Sequence, residues 1–135
     1  MGFSAYAANL QAAHLYNGTS ETYPTTFYVA LFTVQPSGGS GGTEANYTGY
    51  ARQALTVGTT DFTTASGGLV KNAIAVNFPT NTGSAQTVVG YGLFDASTGG
   101  NLWQDVAFSS SQTINNGANA SFAIDALVFQ WVIAP

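Results

Sequence analysis

Few side chains in this 135-residue sequence can do chemistry. Two are basic, Arg52 and Lys71. Six are carboxylates: Glu21, Glu44, Asp61, Asp95, Asp105 and Asp125. One is a histidine, His14, and there is no cysteine. A metal centre needs several nitrogen, sulfur or clustered oxygen ligands, and His14 has no such company. It falls on a helical apolar stripe and is expected to be a packed, hydrogen-bonded core residue. The run Asp95-Ala-Ser-Thr-Gly-Gly-Asn101 faintly resembles a calcium loop but lacks the other acidic ligands, so it reads as a turn. A glycosidase needs one carboxyl kept protonated beside an ionised partner, and Asp95, Asp105 and Asp125 lie in or beside expected strands and turns that offer no such environment. There is no G-x-S-x-G elbow and no P-loop. No catalytic residue, metal ligand or cofactor is expected.

The placing of Arg52 is more telling. It follows a loop rich in glycine and serine, 34–48, that carries Glu44. In a strand beginning at 51, Arg52 shares a face with Ala54 and Thr56, which leaves room for a long guanidinium. Its planar fork of donors suits backbone carbonyls or a carboxylate, with Glu44 and Asp95 as candidates. Arg52 either staples the return of the loop or reaches across to another subunit. The loop itself is expected to be flexible in the isolated chain.

The elements that carry these residues are mostly β. Phe3, Tyr6, Ala7, Leu10 and His14 lie on one helical stripe, and Asn17-Gly18 offers a left-handed stop, so residues 3–17 are expected to form a helix. Strands are expected near 26–33, 51–57, 69–78, 87–94, 101–108, 112–114 and 119–132, with hairpin turns at Ser97–Gly100 and Asn115–Gly117. That spacing predicts a single mainly β domain over 1–135, an antiparallel β-sandwich or flattened barrel with one N-terminal α-helix. Gly90 and Gly92 share a strand face and leave space for a ring, a helix or another backbone.

Several strands are apolar on both faces. Phe27, Val29 and Leu31 alternate with Tyr28, Ala30 and Phe32. In the last strand Phe122, Ile124 and Val128 oppose Leu127, Phe129 and Trp131. One short helix cannot cover so much, and apolar surface left over marks an interface. Tyr28, Phe32, Phe129 and Trp131 are therefore interface candidates with Arg52, Glu44 and Asp95. Leu15 and Tyr16 join them because they fall off the helical stripe. Trp103 and Trp131 sit within expected strands, which favours core or interface over sugar stacking.

Charge and composition close off other classes. Charged residues make up 6% of the chain and the net charge is −4. No basic surface can be assembled for nucleic acid or an anionic membrane. No apolar run reaches the ~18 residues of a transmembrane helix, and the start lacks the basic region of a secretory signal. The triplets at Asn17, Asn46 and Asn119 are no more than chance supplies, so glycosylation is not inferred.

Five segments in order carry a resemblance: TTFYVALFT at 25–33, GTEANYTGYARQAL at 42–55, NAIAVNFPT at 72–80, GYGLFDASTGGNLW at 90–103 and TINNGANASFAIDAL at 113–127. The chain resembles a family of small tailed-bacteriophage virion proteins, described as tail-fibre-like or head-decoration proteins. The resemblance implies a non-enzymatic structural protein of the virion, assembled in the host cytoplasm. Head decoration, bridging capsid subunits as a cement, is the first expectation, and a tail or fibre adaptor is the alternative. A glycan-binding receptor module is a third. The partners implied are further copies of the chain, as a homotrimer, and either the major capsid protein or tail proteins.

Overall fold

The structure, a computed structural model, describes residues 2–131. The chain opens with β1 (Gly2–Phe3) and α1 (Ala5–Asn17). Between them Ser4 acts as N-cap: its hydroxyl accepts the Ala7 N–H at 3.1 Å and donates to the Leu102 carbonyl. The helix therefore starts later than the expected 3–17, because Phe3 is held in strand pairing with Gln104. It stops at Gly18, whose φ of 68° lets its N–H turn back to Ala13.

The principal sheet is antiparallel. Its members are β2 (Thr26–Val34), β3 (Thr43–Glu44), β4 (Gln53–Thr56), β7 (Gln86–Phe94) and β8 (Leu102–Ile114), with β1 on the β8 edge. The order is β1-β8-β7-β2, and the far edge of β2 is shared. β4 pairs with Thr26–Val29 and β3 with Phe32–Val34. A second layer consists of two ribbons, β5 (Leu69–Lys71) with β10 (Val128–Gln130) and β6 (Val76–Asn77) with β9 (Ser121–Phe122). The result is a two-layer, mainly β architecture with one helix and no closed barrel.

The layers meet through alternate residues of the sheet. Val29, Leu31, Leu55, Val88, Tyr91 and Leu93 pack against Val76, Phe78, Leu127 and Phe129. The opposite sheet face is also covered in its centre. Ala30 and Phe32 are buried, and the chain after β2 folds back across them. A Cβ at Gly92 would lie 2.7 Å from the Phe32 ring, and one at Gly90 would strike the Gln35 amide. The two glycines thus admit a ring and a side chain of the neighbouring strand and the segment after it.

Several expected elements differ. The span 69–78 is broken into β5 and β6, and 119–132 into β9 and β10, with residue 132 outside the described residues. Asn72 is the cause. It is fully buried, donates to the carbonyls of Ile74 and Ala123, and accepts from Leu127 N–H, so its side chain does what a ladder would do there. The spans 101–108 and 112–114 are one strand, β8. Residues 108–111 bulge from it between the pairs Gly90–Ala107 and Val88–Gln112. The bulge carries Phe108 onto Tyr91 and Phe122. The Ser97–Gly100 turn joins β7 to β8 as a hairpin. Asn115–Gly117 does not make one: it turns the chain toward the second layer, where β9 pairs with β6. The strand expected at 51–57 is shortened to β4, so Arg52 precedes it.

His14 is exposed rather than packed in the core. Ala7 is the one buried residue of α1, so the helix rests on the sheet by its first turns and His14 lies beyond that contact. Its Nδ1 is 3.0 Å from the Thr19 carbonyl, and its ring meets Tyr23 edge-on.

Candidate functional site

Arg52 and Glu44 come together at the β2 edge. Glu44 lies in β3, paired with Phe32, and Arg52 leads into β4 on the same edge. The guanidinium donates from Nε to Glu44 Oε1 at 2.8 Å and from Nη2 to Oε2 at 2.7 Å. This is the fork-on-fork geometry that arginine permits. Its Nη1 donates to the carbonyls of Ala96 and Gly99 at 2.7 and 2.8 Å. Its face lies 3.7 Å from the centroid of the Phe94 ring. The Arg52 side chain is 6% exposed. One cation thus joins β3, the start of β4 and the β7–β8 turn.

Tyr50 extends the network. Its hydroxyl donates to Glu44 Oε1 at 2.8 Å and accepts the Leu31 N–H at 3.0 Å. Burial, joined by the Glu44 carboxylate, pushes its phenol far above the usual range, so it stays a neutral donor. Asp95 does not reach Arg52. It accepts from the Asn101 N–H at 2.7 Å, the Asn101 amide at 3.0 Å and the Trp103 indole at 3.2 Å. Partial burial acts to raise its carboxyl, but these donors outweigh it and hold the group below its ordinary value. Asp95 shapes the turn whose carbonyls Arg52 then binds.

The other candidates separate into two groups. Phe32 and Phe129 are buried inside the chain, and Tyr28 is half-buried. Leu15, Tyr16 and Trp131 are 66%, 84% and 51% exposed. Trp131 stands edge-on to Phe3, with centroids 4.7 Å apart. It borders an apolar groove of about 350 Å³ between the α1 side of the sheet and the β5–β10 ribbon. Tyr23, Phe27, Val57 and Val70 line it too. Sequence reasoning did not single these four out as a surface, since they come from separate segments. The only local signal was Tyr23-Pro24, an aromatic–proline pair outside any element.

The arrangement has the character of scaffold and contact surface. Among the described residues no three His, Cys, Asp or Glu side chains converge as a metal site would require. No helix of the described residues is long and apolar enough to cross a membrane.

No curated protein matches the chain. A family model described as podophage GP4 fiber I protein gp80 matches residues 2–130, nearly the whole sequence. That description belongs to a phage fibre. The chain belongs to the podophage GP4 fiber I protein gp80 family and is a structural component of a phage virion.

Proposed function

We propose that this chain is a non-enzymatic fibre subunit on the tail of the particle, joined to copies of itself, as a homotrimer, and to tail proteins. The match to a fibre family over residues 2–130 carries this reading. The structure is compatible with it: a two-layer β scaffold whose turns are locked by Arg52 and Asp95, with apolar side chains left outside at Leu15, Tyr16 and Trp131. Head decoration, the first expectation from the sequence, draws no support from the family description. It came from the resemblance, which takes in head-decoration as well as tail-fibre-like proteins. A glycan-binding role has little geometric support, because the Trp131 groove offers few free polar groups.

Labelling tests the reading on intact particles. An antibody fragment against this protein, imaged by electron microscopy, is expected to decorate tail appendages. Label spread over the head would overturn the tail assignment and return the chain to capsid decoration, with the heat stability of depleted heads as the next measurement.

A further inference from the structure

An asparagine followed by glycine can be attacked from within its own chain. Glycine has no Cβ, so its nitrogen is unshielded and its backbone free to turn, and asparagine is among the residues that heat and time destroy. The sequence holds two such pairs, Asn17-Gly18 and Asn116-Gly117. Both asparagines are exposed, so exposure does not separate them. Their hydrogen bonds do.

Asn116 is held at both reacting ends. Its side-chain amide donates to the Gly83 carbonyl at 3.0 Å, and the Gly117 N–H donates to the Asn81 carbonyl at 2.7 Å. Asn81 is fully buried, and its own amide is fixed to the carbonyls of Ser84 and Ile114. Two bonds must part before the Gly117 nitrogen can reach the Asn116 side chain, and one of them is anchored on a buried residue.

Asn17 is held less. It is the last residue of α1, whose side-chain bonds belong to Gln11 and His14. The Asn17 amide makes no hydrogen bond among the described residues. The helix is steadied as far as His14, whose ring meets Tyr23, and Leu15, Tyr16 and Asn17 beyond it are exposed. The Gly18 N–H turns back to the Ala13 carbonyl, but the Thr19 N–H shares that acceptor at 3.2 Å. That bond lies at a helix end, where opening costs least.

We propose that Asn17 is a site of spontaneous deamidation in the folded protein, and that the fold protects Asn116. The Gly18 nitrogen gives its proton to a solvent base and bonds to Cγ of Asn17. The bond from Cγ to the side-chain nitrogen breaks, and that nitrogen leaves as ammonia. Water then opens the cyclic imide at either carbonyl, giving aspartate or an isoaspartate whose main chain runs through Cβ and Cγ. Either product sets a carboxylate at the C-terminal end of α1, the end at which the helix dipole disfavours an anion. The isoaspartyl link also lengthens the chain ahead of Gly18 and displaces the cap.

Ageing of the purified full chain tests it. The protein is kept in mildly alkaline buffer, sampled over time, then unfolded and cut with trypsin, which separates residues 1–52, with Asn17, from 72–135, with Asn116. Peptide 1–52 is expected to gain the mass difference between amide and acid about fivefold faster than 72–135, the ratio set by one further hydrogen bond of ordinary net strength. An isoaspartate-specific methyltransferase is expected to label the same peptide. Asn17→Gln is expected to abolish both signals, although Asn9 and Asn46 remain in that peptide. In chain aged in denaturant the two peptides are expected to react at similar rates. Equal rates in the folded chain, a faster 72–135, or a 1–52 peptide that stays unchanged overturn the proposal, as does an Asn17→Gln chain whose 1–52 peptide still changes. A ratio that persists in denaturant also overturns it, because local sequence rather than the fold would then set the order.

Discussion

At Arg52 four hydrogen bonds and an aromatic face are gathered on one guanidinium. Lysine at this position can neither fork onto Glu44 nor hold two carbonyls while lying flat on Phe94. Arg52→Lys is expected to cost about 2 kcal/mol, the scale of charge-assisted bonds lost from a buried site, and to lower Tm by several degrees in a thermal melt. An unchanged Tm would mean that the network is not a staple. Glu44 was open to sequence reasoning because the chain has so few carboxylates. The carbonyls of Ala96 and Gly99 were not, since no side-chain pattern marks an acceptor that every residue carries, and their approach depends on how the β7–β8 hairpin folds. Asp95 gives a prediction of its own. Its folded carboxyl titrates below the unfolded value of about 4. Its contribution to stability is therefore complete above that pH and is lost as the pH falls through the lower, folded value. Asp95→Asn is expected to flatten the acid limb of a Tm-versus-pH curve. A variant with the same acid limb as the wild type would remove Asp95 from that account.

Among the elements, those with a strong local signal were the ones read from sequence. The alternation of 26–33 gave β2 within a residue of its observed end, and Ser97–Gly100 gave the β7–β8 hairpin. The second layer was not legible. Its ribbons are two or three residues long, and they are set by a buried amide rather than by periodicity. Asn72 ties the chain after β5 to the segment between β9 and β10 with two side-chain bonds, to Ala123 and Leu127, and spends a third on the nearby Ile74 carbonyl. Asn72→Ala would leave the buried Leu127 N–H without its acceptor and take a donor from the carbonyls of Ile74 and Ala123, the second of which keeps the Ala126 N–H. It is expected to cost about 3 kcal/mol in denaturant unfolding, and a loss below about 1 kcal/mol would mean water replaces the amide freely. The helix was legible in extent but not in orientation. Its stripe pattern foretold a buried His14, whereas Ala7 is the helix's one buried residue and His14 lies at the surface against Tyr23.

For the whole molecule, the scarcity of charge has a consequence for its survival outside the cell. Trypsin-like proteases cut after arginine or lysine, and this chain offers only Arg52 and Lys71. The first is clamped beneath the β7–β8 turn, with Gln53 already paired in β4. The second sits in the β5–β10 ribbon and is followed by the fully buried Asn72. Neither bond can lie extended in a protease cleft until its layer opens. The folded protein is expected to resist trypsin, and rapid cutting under native conditions would contradict the closed sandwich. As denaturant is added, the order of the two cuts will show which layer gives way first: scission after Arg52 reports the principal sheet, and scission after Lys71 the ribbons laid over it.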